Sequence, residues 1–186
     1  MINLIYGSSG SGKSEFAEGL VCSLNYKNMY YLATMEAGGD EAQFRINRHR
    51  DLRKGKGFIT LEHSKDIVNA IPEIEKIDSG DFSTLDSLNK NVILLECMSN
   101  LMANEMFRDG LINEVDYCVN KIIDDVTVLS NHVDALIIVT NNVFEDGNSF
   151  DEATENYLDA LGQVNRKITE MSSAVYEVTV GIGTKL

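Results

Sequence analysis

The sequence has no tryptophan, one proline (Pro72) and three histidines in 186 residues. A single proline leaves no Pro-rich linker, and no internal repeat breaks the chain into units. Cysteine is sparse too: Cys22, Cys97 and Cys118 are dispersed, without C-x-x-C spacing. That pattern excludes a zinc ribbon and a disulfide framework, and reads as reduced thiols in a cytoplasmic protein. Positive charge is scarce, with 16 Lys and Arg against 29 Asp and Glu and a formal net charge of −13. A broad nucleic-acid surface needs clustered positive charge, so that class is excluded. No apolar run approaches the roughly 20 residues of a membrane-spanning helix. The chain opens directly on strand-like "MINLIYG", with no feature of a signal peptide. The size and the balance of 44% hydrophobic to 24% charged residues suit one globular domain over residues 1–186.

What is present alternates. Residues 2–6 read as a buried strand and 13–24 as a helix, with Phe16, Ala17, Leu20, Val21 and Leu24 at helical spacing. Strands are expected at 29–34, 58–63, 91–98 and 135–141, with a last strand at 175–183. The run "NVILLECM" is nearly continuous in apolar residues, as a strand covered on both faces should be. Helices are expected at 40–53, with Asp40 as its cap, at 111–131 and at 151–172. Residues 64–90 give no clear pattern, and much of the stretch is polar and loop-like. Alternating strands and helices predict an α/β fold with a mainly parallel, doubly wound sheet.

The first strand and helix flank "GSSGSGKS", which fits G-x-x-x-x-G-K-[ST] with Gly7, Gly12, Lys13 and Ser14 in the fixed places. Such a loop turns the backbone N–H groups of Ser8, Ser9, Gly10, Ser11 and Gly12 toward phosphate oxygens, at the positive end of a helix. Lys13 would reach the terminal phosphates, and the Ser14 hydroxyl would ligate Mg²⁺. Glu96 ends the strongest strand, where a carboxylate faces the crevice at the strands' carboxyl ends and can support the metal. The motif predicts a P-loop nucleotide site and leaves the reaction open.

The second feature is "DEAQFRINRHRDLRKGK". Residues 45–56 hold Arg45, Arg48, Arg50, Arg53, Lys54 and Lys56 against one acid, Asp51. Arg45, His49 and Arg53 share a helix face, and Phe44 and Ile46 give partial apolar anchorage. A neutral imidazole among arginines joins a nucleophile to groups that mask phosphate charge, so His49 could attack phosphorus. On residue chemistry alone, an exposed salt-bridged face with an idle histidine is the simpler reading. His63 and His132 have no comparable setting and read as structural or exposed.

Taken together, the segments "YGSSGSGKSEFAE", "YYLATMEAGGDEAQFRINRHRDLR", "VILLECMSNLMAN", "IIVTNNV", "GQVNRKI" and "VYEVTVGIGTKL" resemble the bifunctional adenosylcobinamide kinase/adenosylcobinamide-phosphate guanylyltransferase family of cobalamin biosynthesis. The likeness spans nearly the whole chain. It implies a RecA-like P-loop NTPase fold and a homotrimer. It also implies a two-step activity: phosphorylation of adenosylcobinamide with ATP or GTP, then transfer of GMP from GTP to that phosphate. His49 matches the family's guanylyl carrier, flanked by Arg45 and Arg50. Thr34, Glu36 and Glu62 complete the candidate nucleotide contacts, Ser14 and Glu96 the metal side, and Asn104 and Asn165 match polar motif positions. The chain departs from the pattern at Asn142, where the family has glutamate. It departs again in the acidic stretch carrying Glu145, Asp146, Asp151, Glu152, Glu155 and Asp159, where Ser149 stands in place of proline. A small-molecule kinase without guanylyl transfer, and a non-catalytic nucleotide-binding regulator, are the competing readings.

Overall fold

The apolar start of the chain forms β1 (Ile2–Gly7), and the glycine loop delivers it into α1 (Lys13–Ser23). There follow β2 (Asn28–Ala33), α2 (Gly39–Arg53) and β3 (Phe58–Glu62), then a 3-10 turn (Ile67–Asn69) running into α3 (Ala70–Ser79). The second half comprises β4 (Asn91–Glu96), α4 (Met98–Met106), α5 (Val115–His132), β5 (Ala135–Asn141), α6 (Glu152–Met171), β6 (Ala174–Thr179) and β7 (Ile182–Lys185). This computed structural model describes residues 1–36, 38–79, 90–144 and 150–186, without the side chains of Glu41, Ala42, Arg45 and Leu52. Glu145, Asp146 and Ser149, singled out in the sequence, lie outside the described residues, as does most of the polar stretch before β4.

The seven strands make one sheet in the order β3-β2-β4-β5-β1-β6-β7. Every pairing is parallel except β6 with β7. Strand β5 therefore lies between the loop-bearing β1 and the acid-bearing β4. The register sets Ala33 opposite both Glu62 and Glu96, and Gly7 opposite Asn141. Successive side chains point to opposite faces of a strand, and both faces here are apolar. Leu4, Leu32, Leu95 and Ile138 pack against α4, α5 and α6, while Ile5, Tyr31, Leu94 and Ile137 pack beneath α1. Burying both faces leaves the strand ends free to carry polar groups. Among the described residues no helix is long and apolar enough to cross a membrane.

Five expectations need correction. The apolar run after Asn91 does not stay extended to residue 98: the strand stops at Glu96 and α4 begins at Met98. Met98, Leu101, Met102 and Met106 continue the apolar run at helical spacing, all fully buried. A short apolar run cannot reveal by itself where strand gives way to helix. The closing segment is not one strand but a hairpin, β6 and β7 turning at Val180 and Gly181, both at positive φ. Asp40 is not a cap: Gly38 holds that position with no side-chain cap, and Asp40 lies in the first turn. Phe44 anchors nothing, being 70% exposed. The expected helix at 111–131 starts later, at Val115. The helix expected at 151–172 is present as α6, and Asp151 caps it by accepting from the Thr154 N–H at 2.8 Å.

Candidate nucleotide and phosphoryl-transfer site

The glycine loop is shaped from behind by the C-terminal hairpin. Gly10 and Gly12 have φ of 73° and 87°, the left-handed region that favours glycine. A Cβ on Gly12 would sit 2.8 Å from the Gly181 Cα, and one on Gly7 would sit 2.6 Å from the Val178 carbonyl oxygen. The Gly181 N–H donates to the Ser11 carbonyl at 2.7 Å, tying the hairpin turn to the loop. Lys13 is buried and curls back so that Nζ donates to the Ser8 carbonyl at 3.0 Å. Burial pushes its ammonium below the ordinary lysine value, with Cys97 and Glu96 working in the other direction.

Ser14, at the start of α1, donates from Oγ to Glu96 Oε1. The other carboxylate oxygen accepts from the Tyr31 hydroxyl at 3.1 Å. A hydroxyl and a carboxylate already in contact at the mouth of the loop form an oxygen donor pair. Such a pair suits a hard cation that takes its other ligands from water and phosphate. No group of three or more His, Cys, Asp or Glu that could hold a metal ion occurs among the described residues. The metal would therefore rest on Ser14, Glu96 and the nucleotide rather than on an all-protein cage.

These groups open onto a cleft of about 890 Å³ at the carboxyl ends of the strands. Its floor is Lys13, Ser14, Glu96, Cys97 and Asn141, and α2 supplies the facing wall with Gln43, Ile46, Arg48, His49, Arg50 and Arg53. His49 is half-buried, and its Nδ1 is buried without a hydrogen-bond partner among the described residues. Arg50 Nη2 donates to Glu62 Oε1 on the exposed rim. Glu36 pairs with Lys65 at 3.1 Å and accepts from Ser64 Oγ at 3.2 Å.

The structure thus brings Ser9, Gly10, Gly12, Lys13, Ser14, Glu36, His49, Arg50, Glu62 and Glu96 to one cleft. Arg50 and Glu62, both expected to contact nucleotide, engage each other. Thr34 is not in the cleft. It is fully buried, and its hydroxyl accepts from the Cys97 N–H at 2.7 Å and donates to the Cys97 carbonyl at 2.8 Å. That clamp fixes the point where β4 yields to α4. Gly7, Ser8 and Ser11 belong to the same loop but are not among the residues that line the cleft. The Arg45 side chain is outside the described residues. Asn104 donates to the Thr34 and Ser64 carbonyls at 2.8 and 3.0 Å, and Asn165 accepts from Thr140 at 2.8 Å. Both are framework contacts. His63 pairs with Glu73 at 2.7 Å, and His132 is exposed at the end of α5.

Sequence reasoning missed Tyr31, Asn100 and Asn141, all of which line the cleft. It placed Arg53 in the basic run without a role. Asn141 ends β5 and Asn100 lies in the first turn of α4, just past β4, and position at the carboxyl end of a strand was the signal that could have marked them. Tyr31 gives no such signal, because it sits inside a strand and reads as core.

The sequence pattern of the family described as cobinamide kinase / cobinamide phosphate guanyltransferase matches residues 3–186. Two relatives, each named bifunctional adenosylcobalamin biosynthesis protein CobU, are similar along their whole length. The one from Salmonella typhimurium is 27% identical over 195 residues, covering 100% of this chain and 99% of the relative. The one from Escherichia coli is 28% identical over 199 residues, with the same coverage. Among solved structures, an ATPase from the type III secretion system of pathogenic bacteria superposes with a TM-score of 0.58 at 9% identity, covering 99% of this chain and 56% of that one. At that identity the superposition speaks for the fold alone, an α/β P-loop NTPase fold. With a P-loop, a strand-end acid and a histidine-bearing basic helix around one cleft, and a pattern match from residue 3 to the last, the chain belongs to the cobinamide kinase / cobinamide phosphate guanyltransferase family.

Proposed function

We propose that this chain phosphorylates the aminopropanol hydroxyl of adenosylcobinamide with a nucleoside triphosphate, and then transfers GMP from GTP to that phosphate through His49. The observation that carries the reading is the shared cleft: His49, Arg48 and Arg50 of α2 line the same opening as Lys13, Ser14 and Glu96. A histidine without phosphate-binding groups opposite it would have no reaction to perform. In family members the two activities belong together, and here one set of phosphate-binding groups is available to both.

In the kinase step the loop N–H groups and Lys13 hold the triphosphate and offset the charge gathering on the leaving oxygen. Ser14 and Glu96 would hold Mg²⁺, which would supply neutralisation of charge on the phosphoryl oxygens. In the transfer step a ring nitrogen of His49 forms a bond to the α-phosphorus of GTP. The bond from that phosphorus to the bridging oxygen breaks, and pyrophosphate leaves. An oxygen of cobinamide phosphate then attacks the same phosphorus. The nitrogen–phosphorus bond breaks, releasing adenosylcobinamide-GDP and the free imidazole. Arg48 and Arg50 stand where they can mask phosphate charge from the nucleophile. Exchange of Glu62 for phosphate as the partner of Arg50 is part of this reading, since a charge-assisted contact to phosphate replaces the one lost.

Incubation with GTP radiolabelled at the α-phosphorus tests it. Acid-labile, base-stable label should appear on the wild-type protein and vanish in His49→Ala. Absence of label with adenosylcobinamide phosphorylation intact would leave a plain small-molecule kinase. Absence of both activities would leave a nucleotide-binding regulator. The homotrimer implied by the family belongs to the same proposal.

A further inference from the structure

We infer that Tyr31 is a positioning residue for the metal-side carboxylate Glu96, held in place by Arg53; the inference rests on the reading that Ser14 and Glu96 hold Mg²⁺ beside the nucleotide. A chain of contacts crosses four elements. At the end of α2, the Arg53 guanidinium carbon lies 3.4 Å from the centroid of the Tyr31 ring. In β2, the Tyr31 hydroxyl donates to Glu96 Oε2 at 3.1 Å. At the end of β4, Glu96 Oε1 accepts from Ser14 Oγ of α1. The parallel register sets Tyr31 opposite Leu94, two residues before Glu96, so the length of the tyrosine is what reaches the carboxylate.

A carboxylate on a glutamate stem can turn both oxygens many ways. With Oε2 taken by Tyr31, Oε1 is left presented to Ser14 and to whatever Ser14 ligates. The tyrosine is itself fixed on two sides, by Arg53 over its face and by Phe58 against its edge at 6.1 Å and 85°. It is 3% exposed.

A purely apolar role does not account for these residues. Phenylalanine would fill the same volume without burying a hydroxyl, and a buried polar group costs free energy unless it is paired. The Arg53 side chain is equally out of place in a packing role. It is 7% exposed, and among the described residues its Nη1 is buried without a partner and Nη2 has only a long contact to Thr60 Oγ1 at 3.5 Å. Desolvating a guanidinium that stays charged needs a return. The stack on Tyr31 supplies it, by holding the hydroxyl against Glu96. Hydrogen-bond partners of metal-ligating groups typically change metal affinity by about 10-fold to 100-fold when removed.

The test is calorimetric titration of the full chain with GTP, once with Mg²⁺ and once with EDTA. Tyr31→Phe removes only the hydroxyl and keeps the ring under Arg53. The affinity gained on adding Mg²⁺ should fall on the order of 10-fold, with affinity in EDTA unchanged. Arg53→Gln should reduce the same gain by a smaller factor. An undiminished Mg²⁺ gain in Tyr31→Phe, or an equal loss in both buffers, would overturn the positioning role. Histidine labelling on the same preparations separates the two proposals. Labelled wild type with an undiminished gain in Tyr31→Phe removes this inference alone. Unlabelled wild type with the gain reduced in Tyr31→Phe removes the transferase reading alone. A wild type with no Mg²⁺ gain removes the metal assignment and this inference together.

Discussion

Two glycines of the phosphate loop separate backbone strain from steric contact. Gly10 and Gly12 both have positive φ, but only Gly12 has a neighbour in the way, the Gly181 Cα at 2.8 Å from a built Cβ. Left-handed backbone costs a non-glycine residue about 1–3 kcal/mol. Gly10→Ala should lose stability within that range, and Gly12→Ala should lose more, because the hairpin turn must also shift. Urea unfolding of the two variants gives the order directly. Equal losses would mean that the turn yields freely and does not brace the loop. The same pair should differ in GTP binding, since displacing Gly181 also releases its hydrogen bond to Ser11.

At the scale of elements, a charge network joins the turn after β3 to α4 and α5, away from the cleft. Arg108 pairs with Asp66 at 2.6 Å, and Lys121 lies within 3.1 Å of Asp66, Glu105 and Asp125. Glu105 is fully buried, and it also accepts from the Asp66 N–H at 2.8 Å. The Arg108 hydrogen bond, with help from Lys121, holds the Asp66 carboxyl down at about 2, against an ordinary 3.8. A depressed carboxyl favours the folded state when ionised. Its contribution is complete above the ordinary value and is lost as pH falls from about 4 through 2. Arg108→Gln should flatten that fall by removing the group that lowers the carboxyl. Urea midpoints measured between pH 5 and 2 check it, and parallel curves for variant and wild type would count against the assignment.

The whole molecule is strongly acidic, yet its edge is apolar. Val180, Ile182 and Leu186 on the closing hairpin are 83%, 69% and 73% exposed. A sheet edge carrying exposed apolar side chains is a surface for a partner or a liability for aggregation. Under the trimer proposal, sedimentation should return a mass about three times the 20.7 kDa of one chain. Ile182→Asp should shift the mass toward that of one chain. Because each copy carries a net charge of −13, added salt should strengthen assembly by screening repulsion. A single-chain mass at every salt and protein concentration would end the trimer proposal.

Local chemistry made part of this molecule readable from its sequence. The fixed spacing from Gly7 to Ser14, the apolar strands β1, β4 and β5, and the reversal of charge on α2 all follow from neighbours within a few positions. Those signals located the loop, the acid and the histidine, and the family pattern joined them. They could not show that the apolar run past Glu96 turns helical, since strand and helix interior are alike in composition over so few residues. Nor could they show that Thr34 serves the Cys97 backbone instead of the cleft, or that Arg50 and Glu62 face each other. Such pairings join positions far apart in sequence and are set by sheet order and register. The link from Arg53 through Tyr31 to Glu96 and Ser14 is of that kind. It exists because parallel pairing of β2 with β4 brings a tyrosine within reach of a carboxylate 65 positions away in the chain.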